Sequence, residues 1–329
     1  MLATSLAVPT VQRKGETNCM SAATALEKGK ANRGNTVEKA CTFESDGLKL
    51  SGILHLPDAR KAGEKLPAFL VLHGFAGSKD DSHAELQARM MEAFGYAALR
   101  FDMRSCGTSE GVKGQIRCFD QVADTKNAFN YLASLPEIDP KRIGVIGHSF
   151  GAAVAVYTAG IDERVACVVS SCGWGHGERK FRGQHPTPEA WAHFTKLLED
   201  GRRHREETGE SMWVSRFDVV PIPEHLRKNL SPRSLMEVPV ETAQSMYDFR
   251  AEDVVANIAP RPLLLFHMAN DSVTPSEQSM RMFEKAGTNA ELMMMSGTSH
   301  FPLSPENAPR TKAIIKSFLD KFFPSPLAG

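Results

Sequence analysis

From residue 37 onward the chain alternates short apolar runs with segments of helical period, and this alternation limits its possible folds more than any other feature. Residues 67–72, 142–146, 165–170 and 262–268 are apolar runs of strand length, as expected for strands buried on both faces. Residues 96–101 and 291–295 read as two more strands. Helical segments fall between and after them, at 83–94, 117–135, 150–159, 276–286 and 309–323. The last carries apolar pairs at Ile314/Ile315, Phe318/Leu319 and Phe322/Phe323, one wide face at helical spacing. Two β-like stretches, 40–44 and 48–56, come first. The turn signal Ser45-Asp46-Gly47 separates them, so an antiparallel hairpin is expected. The whole implies an α/β fold with a mostly parallel eight-stranded sheet and helices on both faces.

The alternation breaks once. Residues 173–253 have no clean period and hold all three tryptophans, many prolines and dense charge of both signs. So long a loop inside a compact domain would be abnormal. An inserted cap subdomain after the sixth strand is expected instead, partly helical, with one helix at 188–199. The core is then 37–172 and 254–329. Residues 1–36 make a poor signal peptide and read as a mobile or surface leader.

Composition removes several function classes. Lys+Arg and Asp+Glu both number 39, for a formal net charge of zero, so nothing points to nucleic acid or an anionic membrane. No apolar run approaches the roughly 18–20 residues that a bilayer span needs. The 6 cysteines match no zinc or C-x-x-C spacing and suit reduced thiols in a cytoplasmic protein. No G-x-G-x-x-G follows the first strand, against dinucleotide binding. No metal or organic cofactor is implied. The expected partner is a small-molecule substrate, and a homo-oligomer is allowed.

The chemistry is carried by Gly147-His148-Ser149-Phe150-Gly151, set between the strand at 142–146 and the helix from 150. A strand-to-helix turn this tight strains the serine backbone, and the flanking glycines have no Cβ to collide. Ser149 is the expected nucleophile. His73-Gly74-Phe75-Ala76-Gly77 follows the strand at 67–72 and can aim a backbone N–H at a developing oxyanion. The two expected donors are the N–H groups of Phe75 and Phe150; His73 itself reads as structural. Asp271, after the strand at 262–268, and His300, after the last strand, can reach the same rim, and the order Ser–Asp–His fits.

On these residues the chain resembles an α/β-hydrolase over roughly residues 37–323. Arg100-Phe101-Asp102-Met103-Arg104-Ser105-Cys106-Gly107-Thr108-Ser109 is similar to the family's Asp-x-Arg-Gly-x-Gly-x-Ser loop, with Ser105 where the first glycine is usual. The resemblance implies that Asp102 and Arg104 are structural. The His73-Gly74-Phe75 stretch resembles dienelactone-hydrolase-like and cinnamoyl or feruloyl-esterase-like members. A serine hydrolase cleaving an acyl ester of a small or aromatic substrate through a Ser149–His300–Asp271 triad and an acyl-enzyme is therefore expected. A thioesterase, an amide, lactone or carbon–carbon hydrolase, and a non-catalytic ligand-binding module of the same fold stay open. Trp174, Phe181, Trp213 and Tyr247 could line a substrate pocket or form the insertion's own core. The Arg179-Lys180-Phe181-Arg182 and Arg202-Arg203-His204-Arg205 clusters could bind an anion or be solvated charge.

Overall fold

The computed structural model describes residues 37–59 and 63–327, and the leader expected over 1–36 lies outside the described residues. β1 (Val37–Ser45) and β2 (Leu48–Leu56) form the antiparallel hairpin. β3 (Leu66–Leu72), α1 (Ser82–Ala93), β4 (Ala97–Phe101), α2 (Cys118–Ser134), β5 (Ile138–His148), α3 (Phe150–Ile161) and β6 (Val165–Ser171) follow. The chain then leaves the sheet for α4 (Gly177–Gln184), α5 (Pro188–Thr208), β7 (Trp213–Ser215), α6 (Arg216–Val219), α7 (Glu224–Arg227), β8 (Glu237–Pro239) and α8 (Val240–Asp248). It returns with β9 (Leu263–Met268), α9 (Glu277–Lys285), β10 (Ala290–Met295) and α10 (Ala308–Phe322).

The eight-stranded sheet has the order β1-β2-β4-β3-β5-β6-β9-β10. β2 pairs antiparallel with both β1 and β4, and every other pair is parallel. β3 is buried at every position. Its Phe69 and Val71 join Met90, Met91 and Phe318 of α1 and α10 on one face, while Leu70 and Leu72 join the core under α2 and α3 on the other. Burial on both faces is why these strands are continuous apolar runs rather than alternating ones.

α3 is buried almost along its whole length. It packs on β5 and β6 and is covered by α2 and by the two short 3-10 turns at residues 251–258. Small side chains such as Ala152, Ala153 and Ala155 allow that close approach. In the insertion, α5 packs on α8, and β7 and β8 form a two-stranded antiparallel ribbon. α5 starts at a Thr187 cap, whose side chain accepts from Ala190 N–H, with Pro188 in the first turn. It runs past the expected end at 199 and stops at Gly209, which adopts φ 78°. Its second half is charged and exposed, so no apolar period marks it.

Candidate active site

β5 ends at His148 and α3 begins at Phe150, which leaves Ser149 alone to turn the chain. Ser149 has φ 55° and ψ −115°, a region a non-glycine residue rarely occupies, at a cost of about 1–3 kcal/mol. Packing holds the strain. A Cβ on Gly147 would fall 2.3 Å from the backbone of Gly151, and one on Gly151 would fall 2.5 Å from the His73 carbonyl oxygen. Ser149 N–H donates to the Ser171 carbonyl at 2.8 Å. Ser149 stands at the carboxyl end of β5, between the loops that leave β3 and β6.

Asp271 follows β9 and its side chain is fully buried. Oδ1 accepts from the N–H groups of Val273 (2.8 Å) and Thr274 (2.9 Å), and Oδ2 accepts from His300 Nδ1 (2.7 Å). Burial alone would raise this carboxyl's pKa; the imidazoles of His300 and His267 and the hydrogen bonds outweigh it and hold the carboxyl well below its ordinary value. With Nδ1 donating to Asp271, His300 keeps Nε2 as the nitrogen with a free lone pair. His267 lies below, its Nδ1 2.7 Å from Ser279 Oγ and its Nε2 3.0 Å from the Thr274 carbonyl. Cys172, His267 and Asp271 present ligand-type atoms within 4.8 Å of one another. His267 Nε2 must donate to that carbonyl, however, and burial pushes the Cys172 thiol pKa far up, so the cluster fits hydrogen-bonded support of Asp271 better than a metal.

Ser149 and His300 line one cavity of about 60 Å³. No hydrogen bond joins them in this state. Val220, Ile222 and Leu230 of the insertion and Val273 and Phe301 of the core supply apolar wall, and Asp81, His83 and Arg216 supply polar wall. Phe75 lines this cavity and Phe150 directly follows Ser149, and the N–H groups of both donate to no other described residue. Phe150 N–H is free because it opens α3.

Two further histidines face the cavity, and both were overlooked as candidate site residues in the sequence. The His148 ring lies 4.0 Å from that of His83 and 4.8 Å from that of His300. Both ring nitrogens of His148, and Nε2 of His83, lack a hydrogen-bond partner among the described residues. Burial, with His300 adding to it, pushes the His83 pKa down to about 3; burial and its histidine neighbours push His148 well down. Both rings are therefore neutral in the folded protein at pH 7. The unfolded chain binds those protons below about pH 6.5, so stability is lost as the pH falls from there, by up to about 1.4 kcal/mol per unit per ring. Urea melts between pH 7 and 4 are expected to show this loss. His83→Phe should remove one ring's share, and an unchanged slope in that variant would contradict the assignment.

The other sequence candidates are placed away from the cavity. Trp174 and Phe181 are fully buried; Trp174 packs on Phe249 and Phe181 on Phe194, in the base of the insertion. Trp213 is 47% exposed and lies over Gly114. Tyr247 lies against Trp191 and Phe194. None of the four reaches the cavity wall; the buried rings of Trp174 and Phe181 are taken up by packing against Phe249 and Phe194 instead. The Arg clusters are largely matched by acids: Arg179 pairs with Glu252, Arg182 with Glu178, Arg203 with Asp200 and Arg205 with Glu241. Lys180 is instead buried over the Phe181 ring at 3.7 Å.

The loop after β4 is structural. Asp102 accepts from Lys79 and Thr108 backbone N–H groups and from Lys79 Nζ, and Arg104 pairs with Asp124. Ser105 adopts φ 67°, the left-handed region that explains a glycine preference there. His73 accepts from Met103 N–H through Nε2 and contacts the Gly74 carbonyl through Nδ1, so both its nitrogens serve the loop.

The model of the alpha/beta hydrolase family matches residues 69–311 of this chain. A thiohydrolase of Arthrinium phaeospermum is 30% identical over 246 residues, 67% of this chain and 74% of that protein. Among solved structures, a hypothetical protein of Pseudomonas aeruginosa superposes with TM-score 0.75 at 24% identity, covering 88% of this chain and 95% of that one. Est1E of Butyrivibrio proteoclasticus, solved with ferulic acid bound, superposes with TM-score 0.62 at 20% identity, covering 86% and 99%. No helix among the described residues is long and apolar enough to cross a membrane. By the matched family and the fold, the chain belongs to the alpha/beta hydrolase family and is a hydrolase.

Proposed function

We propose that the protein is a serine hydrolase that cleaves an acyl ester of a small substrate through Ser149, His300 and Asp271, with residues 173–253 as the cap over the site. The observation that carries the reading is the strained Ser149 sharing a cavity with a His300 whose Nδ1 is tied to buried Asp271 at 2.7 Å. His300 Nε2 takes the Ser149 hydroxyl proton as Oγ bonds to the acyl carbon, and the carbonyl π pair moves to oxygen. The N–H groups of Phe75 and Phe150 receive that oxyanion. Collapse breaks the bond to the leaving alcohol, which takes the proton from His300. Water then repeats the sequence on the acyl-enzyme and releases the acid. Asp271 keeps the proton on Nδ1 and stabilises the imidazolium throughout.

The confined cavity with aliphatic walls favours a short acyl group. Thioesters are the second reading, favoured by the thiohydrolase relative; the same steps apply with a thiolate leaving. Labelling with a fluorophosphonate, mapped by peptide mass, tests the proposal. The expected modification is on Ser149, and it should disappear in His300→Ala. A folded sample that stays unlabelled would favour a binding module of the same fold.

A further inference from the structure

Arg216 opens α6 in the insertion and is 2% exposed. A guanidinium this buried is ordinarily paired with an acid. Here both partners are neutral: Nη2 donates to the Phe75 carbonyl at 3.0 Å and Nη1 to the Leu235 carbonyl at 3.3 Å. No carboxylate among the described residues is within ion-pair distance of it; Asp81, across the same cavity, acts only at longer range. Nε is enclosed and has no partner among the described residues. A second link joins the same segments, since Leu235 N–H donates to the Ala76 carbonyl at 2.9 Å. The insertion thus holds both carbonyls of the turn at Phe75 and Ala76, where Ala76 has φ 52°. Arg216 also lines the cavity that holds Ser149 and His300.

We propose that Arg216 is a positioning residue of the oxyanion hole, fixing Phe75 so that its N–H faces the cavity and leaving a buried positive charge that finds its counterion only when the oxyanion forms. This inference rests on the serine-hydrolase reading. A neutral ester carbonyl gains little from such a charge, whereas a tetrahedral oxyanion in a site that excludes water gains much. The benefit therefore falls on the transition state and on kcat rather than KM. Burial pushes the Arg216 pKa down only to about 10, so the charge persists at neutral pH. The enclosed Nε argues against the alternative, a direct grip on a carboxylate of the substrate.

The test uses the full chain, a neutral short-chain p-nitrophenyl ester, and the variants Arg216→Met and Arg216→Lys, with thermal melts to verify folding. Arg216→Met is expected to lower kcat about 100-fold, the usual scale for one lost oxyanion donor, with KM changed little. Arg216→Lys, which keeps the charge but not the fork, should recover part of the loss. Affinity for an alkyl boronic acid, which forms a tetrahedral anion on serine, should fall in step with kcat/KM across the series. A purely structural role would lower stability without that proportionality, and would overturn the proposal. So would an unchanged kcat, a change in KM alone, or a loss confined to esters carrying a carboxylate. Ser149→Ala separates the two levels: if it is as active as the parent, the serine-hydrolase reading itself fails. If it is inactive while Arg216→Met is unimpaired, only the Arg216 inference fails.

Discussion

Replacing Ser149 by alanine is expected to lower kcat by about a million-fold, the scale found when a serine nucleophile is removed from a working triad. The fold should survive. Ser149 makes its structural contact through the backbone, donating N–H to Ser171 at 2.8 Å, and alanine keeps that donor. The φ of 55° is imposed by the close passage of Gly147, Gly151 and the loop after β3, so the variant inherits the strain but not the hydroxyl. Single-turnover and steady-state assays with a chromogenic ester, beside a urea melt, check both halves. A folded Ser149→Ala protein with parental turnover would remove this residue from the mechanism.

Asp271→Asn is the second large effect, expected at about 10⁴-fold in kcat. The asparagine oxygen would still accept from Val273 and Thr274 N–H, which fixes the amide orientation. Its NH₂ would then face His300 Nδ1, where a carboxylate oxygen now accepts at 2.7 Å. The imidazole would have to carry its proton on Nε2 and could not take one from Ser149. Stability should change in a pH-dependent way. The Asp271 pKa is lowered on folding, so its charge contributes above the unfolded value near 3.9 and that contribution is lost as the pH falls towards the folded value. The substitution should erase this part of the acid sensitivity. Comparison of kcat with urea midpoints at neutral and acidic pH checks both consequences; a kcat near that of the parent would mean that another group orients His300.

Much of the sheet could be read from composition, because a strand buried on both faces must be apolar at every position. β3, β6 and β9 begin and end within a residue or so of their apolar runs. β5 begins earlier than its run suggests, at Ile138, because the ladder with β3 is irregular there and tolerates Pro140. The glycines around Ser149 were visible for a related reason. A tight turn at a strand end and a loop crossing it leave room only for particular residues, and those residues are neighbours in the sequence.

The cavity's outer wall was not visible. Arg216 meets Phe75 across 141 positions of sequence, and Val220, Ile222 and Leu230 sit in short irregular segments with no period to betray which side they bury. Trp174, among the most conspicuous residues of the insertion, is drawn to packing instead, since a large apolar ring gains more from a closed core than from a small cavity. His148 was in plain view within the motif, yet its place between the rings of His83 and His300 depends on the end of β5, the start of α1 and the loop after β10 meeting. The layered sheet and the tight turn at Ser149 were legible in the sequence, because they follow from two-sided burial and local sterics. What lines the outer wall of the cavity, and the place of Arg216 beside it, came only with the folded chain, because they depend on contacts between segments far apart in sequence.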